Sequence, residues 1–155
     1  MLAHSFSTRI GTLTLKEEDG RICGLAFGDD ASSAVPSDLM TEAEAQMIEY
    51  LNGDRRSFDL PLRLPEDGFE KDVLEAMKRI PYGSVMTYGE LASASGHPGA
   101  ARAVGTVCRR NRIPIIIPCH RVVPVSGGNG RYSGPDGMKD ILLKMESEKA
   151  PDLCR

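Results

Sequence analysis

Residues 87–110 read Thr-Tyr-Gly-Glu-Leu-Ala-Ser-Ala-Ser-Gly-His-Pro-Gly-Ala-Ala-Arg-Ala-Val-Gly-Thr-Val-Cys-Arg-Arg. Thr87 is an N-cap type, and Glu90 puts a carboxylate in the first turn, where a helix favours negative charge. A short helix is therefore expected over residues 88–95. Gly96-His97-Pro98-Gly99 is a tight turn, and a second helix is expected over residues 100–110. Two short helices joined by a glycine-containing turn resemble a helix-turn-helix. On the second helix, Ala103, Val104 and Val107 are expected to face the core. Arg102, Gly105 and Arg109 lie three and four apart and are expected to share another face. Small neighbours, Ala101 and Gly105, leave room there for close approach of a partner.

Charge points the same way. Residues 1–70 carry 6 Lys/Arg against 14 Asp/Glu, whereas residues 71–131 carry 9 against 3, within a net charge of −3. A basic middle behind an acidic front suits contact with a polyanion, and a solvated charged surface is the plain alternative. Arginines on a helix flanked by Ala and Gly favour DNA.

Downstream lies Ile115-Ile116-Ile117-Pro118-Cys119-His120-Arg121-Val122-Val123, a thiol on stiff apolar backbone. Cysteine reacts as its thiolate, and positive charge from Arg121 or a protonated His120 is expected to favour that form. His120 follows Cys119 directly, and on extended backbone neighbouring side chains point to opposite sides. A bridging water is the more natural proton path between them.

The other bounds are those of a soluble globular chain. Its 155 residues are 41% hydrophobic and 26% charged, enough to bury a core. No apolar run approaches the roughly 18 residues of a membrane helix. The start lacks the order of a signal peptide, so a cytoplasmic protein is expected, or a nuclear one in a eukaryote. Cys23, Cys108, Cys119 and Cys154 show no metal-ligand spacing, and His4, His97 and His120 are scattered. Free thiols and no metal are expected. No phosphate loop or dinucleotide fingerprint is present, so no cofactor is expected.

The first 65 residues read as a small supporting domain and 66–155 as a second. Strands are expected at 6–10, 12–16 and 21–27, with Asp19-Gly20 as a hairpin turn. A helix is expected over 41–52, capped by Thr41 with Glu44 and stopped by Gly53, and a further strand at 57–62. The second part opens with a helix over 67–80, whose Phe69, Val73, Leu74, Met77 and Ile80 form one stripe. A strand at 122–125, a hairpin-like loop at 126–130 and a final helix at 136–148 complete it. Ile141, Leu142, Leu143 and Met145 are expected in the core.

Taken together, Ile80-Pro81-Tyr82-Gly83, Thr87-Tyr88-Gly89-Glu90-Leu91-Ala92, Ala100-Ala101-Arg102-Ala103-Val104-Gly105, Asn111 and Pro118-Cys119-His120-Arg121-Val122 resemble the O6-alkylguanine-DNA alkyltransferases. Tyr132-Ser133-Gly134 and Leu142-Leu143 to Glu146 continue the likeness in register over about residues 67–147. The resemblance implies an α+β fold: a small ribonuclease-H-like N-terminal domain and a mostly helical, winged-helix-like C-terminal domain with the helix-turn-helix. It implies a monomer that binds double-stranded DNA containing O6-alkylguanine, flips the base out and moves the alkyl group irreversibly to Cys119. O4-methylthymine is a further candidate substrate.

Roles follow from that likeness. His120 and Glu146 complete the thiol relay, and Tyr88 donates to the departing guanine. Ser133, Tyr132 and Val122 line the pocket, with Asn111 bracing the turn behind it. Arg102 fills the gap left in the base stack, beside Ala101, Gly105 and Arg109. Leu74, Arg112 and Pro135 depart from the family's pattern. Two other classes stay open: a lesion-binding module, whose known members lack the cysteine present here, and a thiol hydrolase, which gives no reason for the arginine-bearing helix.

Overall fold

A computed structural model describes residues 1–30, 32, 35–128, 130 and 132–153, with side chains through 149. Cys154 and Asn129 lie outside the described residues. The chain divides into two compact units, residues 1–63 and 64–155.

The first unit is an antiparallel meander with one helix. Strands β1 (Leu2–Thr8), β2 (Gly11–Glu18) and β3 (Arg21–Phe27) pair in that order. The β2–β3 turn is Asp19-Gly20, both at positive φ (52° and 74°), the pairing that matches strand twist in a two-residue hairpin. Helix α1 (Asp38–Leu51) packs on β1 and β2. It starts earlier than expected. Ser37, not Thr41, is the N-cap, accepting from the Met40 N–H at 3.1 Å. Such a cap contributes about 1 kcal/mol. Thr41 lies in the first turn and donates back to the Ser37 carbonyl. The expected strand at 57–62 is replaced by a single parallel bridge from Leu62 to Ile22. Pro61, with no N–H, can only accept there, from the Ile22 N–H at 2.8 Å.

The second unit is helical. Helix α2 (Phe69–Lys78) buries Val73, Leu74 and Met77, while Phe69 stays half-exposed. A two-residue strand β4 (Met86–Thr87) leads into α3 (Tyr88–Ala94), and α4 (Ala101–Arg109) follows. Thr87 and Glu90 form a full capping box on α3. The α3–α4 turn is held to α2 by His97 Nε2 and Asp72 Oδ2, 2.9 Å apart. Strand β5 (Val122–Val123) is shorter than expected and runs parallel to β4, and among the described residues no strand follows it to form a hairpin. Helix α5 (Met138–Leu153) is the last described element. Its core residues are Met138 and Leu142 together with Lys139 and Glu146. Ile141 is 50% exposed, contrary to expectation. Among the described residues no helix is long and apolar enough to cross a membrane.

Candidate active site

The turn that carries the thiol is built from Asn111. Its Nδ2 donates to the Ile117 carbonyl at 2.9 Å, and its Oδ1 accepts from the Ile113 N–H at 3.0 Å. One side chain thus clasps both ends of a buried five-residue loop. Within it, Ile116 N–H donates to the Pro114 carbonyl at 2.9 Å, closing a tight turn about Ile115 at φ 73°. A β-branched residue there is strained by about 1–3 kcal/mol. Ile115 is 1% exposed, and its burial offsets that strain. Pro118, at φ −79° and ψ 65°, makes a second tight turn in which Cys119 N–H donates to the Ile117 carbonyl. The chain then coils into a single 3-10 turn, Cys119–Arg121.

That turn corrects one premise of the sequence reading. The backbone at Cys119 and His120 is not extended. At three residues per turn the two side chains splay by about 120°, so adjacency still does not aim the imidazole at the thiol.

Cys119 and His120 are both fully buried. Burial pushes the Cys119 thiol up, and Asn111, Ser133 and the Lys139 charge offset only part of that rise. Burial also pulls the His120 imidazole down, against the upward pull of Glu146. The resting site therefore holds a neutral thiol beside a neutral imidazole. The expected activation of the thiolate by Arg121 does not occur in this state, because Arg121 is turned to a carboxylate.

That carboxylate is Glu146, 1% exposed and central to the site. Its Oε2 accepts from His120 Nε2 at 2.7 Å and from Arg121 Nη2 at 2.9 Å. Its Oε1 accepts from Arg121 Nε at 2.8 Å and from the Gly83 N–H at 3.2 Å. Burial alone would raise its pKa. Hydrogen bonds and charge from His120 and Arg121 outweigh that and hold the carboxyl well below the usual range.

The expected pocket residues converge from two directions. Tyr88 opens α3, and its hydroxyl lies against Gly130, leaving no room there for a Cβ. Lys139, 4% exposed, sits 5.8 Å from the Tyr88 ring and donates to the Val122 carbonyl at 2.6 Å. Tyr132 and Ser133 are half-buried. Burial, with the charge of Glu146 and that of Cys119 once ionised adding to it, pushes the Tyr132 phenol far above its usual value. A small cavity beside these groups is lined by Gly130, Tyr132, Gly134 and Lys139, among others.

Helix α4 presents Arg102, Ala103, Arg109 and Arg110 to solvent. Ala101 is half-buried. Gly105 is buried with Val104, Val107 and Cys108, and Ala103 is exposed, which exchanges their expected faces. At 100° per residue, positions 104, 105 and 108 share the stripe that meets the core, and Ala103 falls opposite.

Two site residues have no structural place in the sequence alone. Arg121 reads as a charge beside the thiol, and Lys139 does not stand out. The spacing of Lys139, Leu142 and Glu146 is a readable signal, since three and four residues apart on a helix is one face.

Residues 68–148 match the family described as 6-O-methylguanine DNA methyltransferase, DNA binding domain, and residues 1–64 match its ribonuclease-like domain. The constitutive methylated-DNA–protein-cysteine methyltransferase of Bacillus subtilis is 36% identical over 150 residues, 90% of this chain and 91% of that protein. A methylated-DNA–protein-cysteine methyltransferase of Methanosarcina acetivorans is 43% identical over 109 residues, 70% of each chain. The crystal structure of Mycobacterium tuberculosis OGT in complex with DNA superposes with a TM-score of 0.83 at 35% identity, covering 96% of this chain and 94% of that one.

Proposed function

The chain belongs to the 6-O-methylguanine DNA methyltransferase family, and from that premise we propose that it repairs O6-alkylguanine in duplex DNA by direct reversal, with Cys119 as the acceptor. The observation that carries this reading is the buried cluster in which His120 adjoins Cys119 and bonds Glu146 at 2.7 Å.

The chemistry follows from the neutral resting pair. As the Cys119 Sγ attacks the alkyl carbon in line, its proton passes through a water to His120 Nδ1. Nε2–H remains bonded to Glu146, whose negative charge stabilises the imidazolium that forms. The S–C bond forms as the C–O6 bond breaks, and Tyr88 O–H supplies a proton to the departing guanine. The imidazolium proton restores the phenol. The net result is one thioether and one unmodified guanine. A thioether is a very poor leaving group, so each molecule acts once.

The guanine must leave the duplex to reach a buried thiol, at a cost of a few kcal/mol. Arg102, exposed on α4, fills the vacated stack, and Arg109 holds phosphate. Ser133, Tyr132 and Val122 line the space the base enters, while Asn111 fixes the backbone behind the sulfur. Lys139, held at the Val122 carbonyl, adds positive charge that favours the developing thiolate. O4-methylthymine carries the same reacting group and is a second substrate. We assign the protein to the cytoplasm, where a bacterial or archaeal chromosome lies.

The test is intact mass after incubation with a duplex containing O6-methylguanine. A gain of about 14 Da, one methylene, on Cys119 is expected, with repair ending at one lesion per protein. No gain, or many lesions repaired per molecule, overturns the reading.

A further inference from the structure

We infer that Arg121 is the positioning residue of the thiol relay, fixing the Glu146 carboxylate so that its Oε2 faces His120 Nε2. This deepens the reading above and rests on it. The guanidinium is 6% exposed and held on three sides. Nε and Nη2 grip both oxygens of Glu146 at 2.8 and 2.9 Å, and Nη1 donates to the Ile80 carbonyl at 2.7 Å. The Tyr82 ring lies 5.7 Å below. Only a planar fork meets that set of acceptors, and a lysine ammonium cannot span both oxygens in this way. With the carboxylate locked, the ring of His120 is held in one orientation by its Nε2, which leaves Nδ1 as the proton acceptor.

Arg121 also sets the charge. Around His120 stand Glu146 and Lys139 from α5, with Cys119 and Arg121 from its own turn. Without Arg121, only burial and the Lys139 charge would oppose Glu146 at the imidazole. The ring would be protonated at higher pH and would be occupied as a base before the thiol gave up its proton. Arg121 thus adds to burial in keeping the imidazole neutral in the resting protein and still leaves Glu146 charged to receive the imidazolium later.

Single-turnover repair by the full chain, followed from acid to alkaline pH, tests this. Arg121→Gln removes a positive charge that acts on His120, so the acid limb of the profile, where the imidazole is lost as a base, should move up by at least about one pH unit. Arg121→Lys should keep the limbs near those of the unsubstituted protein and lose about tenfold in maximal rate, because its single charged group cannot hold both oxygens. An Arg121→Gln profile that is only lower, with an unmoved acid limb, overturns the inference. If that variant fails to fold, Arg121→Lys decides alone, and an unchanged maximal rate in it is the refuting result. Failure of the relay itself shows separately, as no mass gain on Cys119 in the unsubstituted protein.

Discussion

His120 Nε2 and Glu146 Oε2 stand 2.7 Å apart, although 26 residues separate them in the chain. Both side chains are buried, so their protonation is tied to folding as well as to chemistry. The folded carboxyl of Glu146 sits well below the ordinary range. Its contribution is fully present above the unfolded value of about 4.3 and is lost as pH falls toward the folded one. The folded imidazole of His120 is also lowered. Below about pH 6.5 the unfolded chain takes up its proton first, which again favours unfolding. Both effects have one sign. Chemical denaturation midpoints should fall steadily from neutral pH downward, and His120→Gln should flatten the upper part of that fall. Midpoints that stay constant from neutral to mildly acid pH would refute this account.

Removing the Glu146 charge should be costly. Glu146→Gln leaves Arg121 buried without its counter-ion, a loss of about 3–5 kcal/mol. Thermal melts should show it. The double change Glu146→Gln with Arg121→Met should recover part of the loss, since it removes both charges, and no recovery would show that the pair does not account for the cost.

Ile115 and Ile117 are each 1% exposed, but only Ile115 has positive φ. Replacing either by glycine deletes a buried side chain, worth about 2–5 kcal/mol. At Ile115 glycine also relieves about 1–2 kcal/mol of backbone strain. Ile115→Gly should therefore destabilise less than Ile117→Gly by about that amount. Equal losses in urea unfolding would mean that Ile115 stores no strain.

Gly130 lies where a Cβ would meet the Tyr88 hydroxyl, and its φ is 75°. Gly130→Ala should displace Tyr88 and slow repair about tenfold or more, with a backbone cost near 1 kcal/mol. Adding Tyr88→Phe removes the colliding oxygen. The alanine should then slow repair much less than it does beside Tyr88. An undiminished effect would show that the collision is not the cause.

Arg102 and Arg109 are exposed, so alanine at either should change stability by less than about 0.5 kcal/mol. Arg102→Ala should repair poorly while Cys119 still reacts with small alkylators. Arg109→Ala should weaken DNA binding at every sequence and reduce the salt slope by about one. An Arg102→Ala protein that repairs normally would remove its place in base flipping.

Elements defined by local chemistry were legible in the chain. The Asp19-Gly20 hairpin, the Thr87–Glu90 capping box and the two short helices around Gly96-His97-Pro98-Gly99 all depend on residues a few positions apart. Features decided by longer contacts were not legible there. Thr41 reads as the cap, but the cap is Ser37, whose hydroxyl also donates to Glu17 of β2. Ile141 is as apolar as Leu142, yet α5 turns only one of them inward.

The sequence by itself determined the thiol, its flanking histidine and arginine, and a helix carrying exposed arginines, because spacing and residue type carry that information. Tertiary structure alone decided the electrostatics. Full burial, which no local pattern reports, makes Cys119 a neutral thiol and His120 a neutral base. Folding α5 against the 3-10 turn then brings one carboxylate, Glu146, to both His120 and Arg121. In so little water, that shared charge outweighs anything Arg121 does from its position two residues beyond the sulfur.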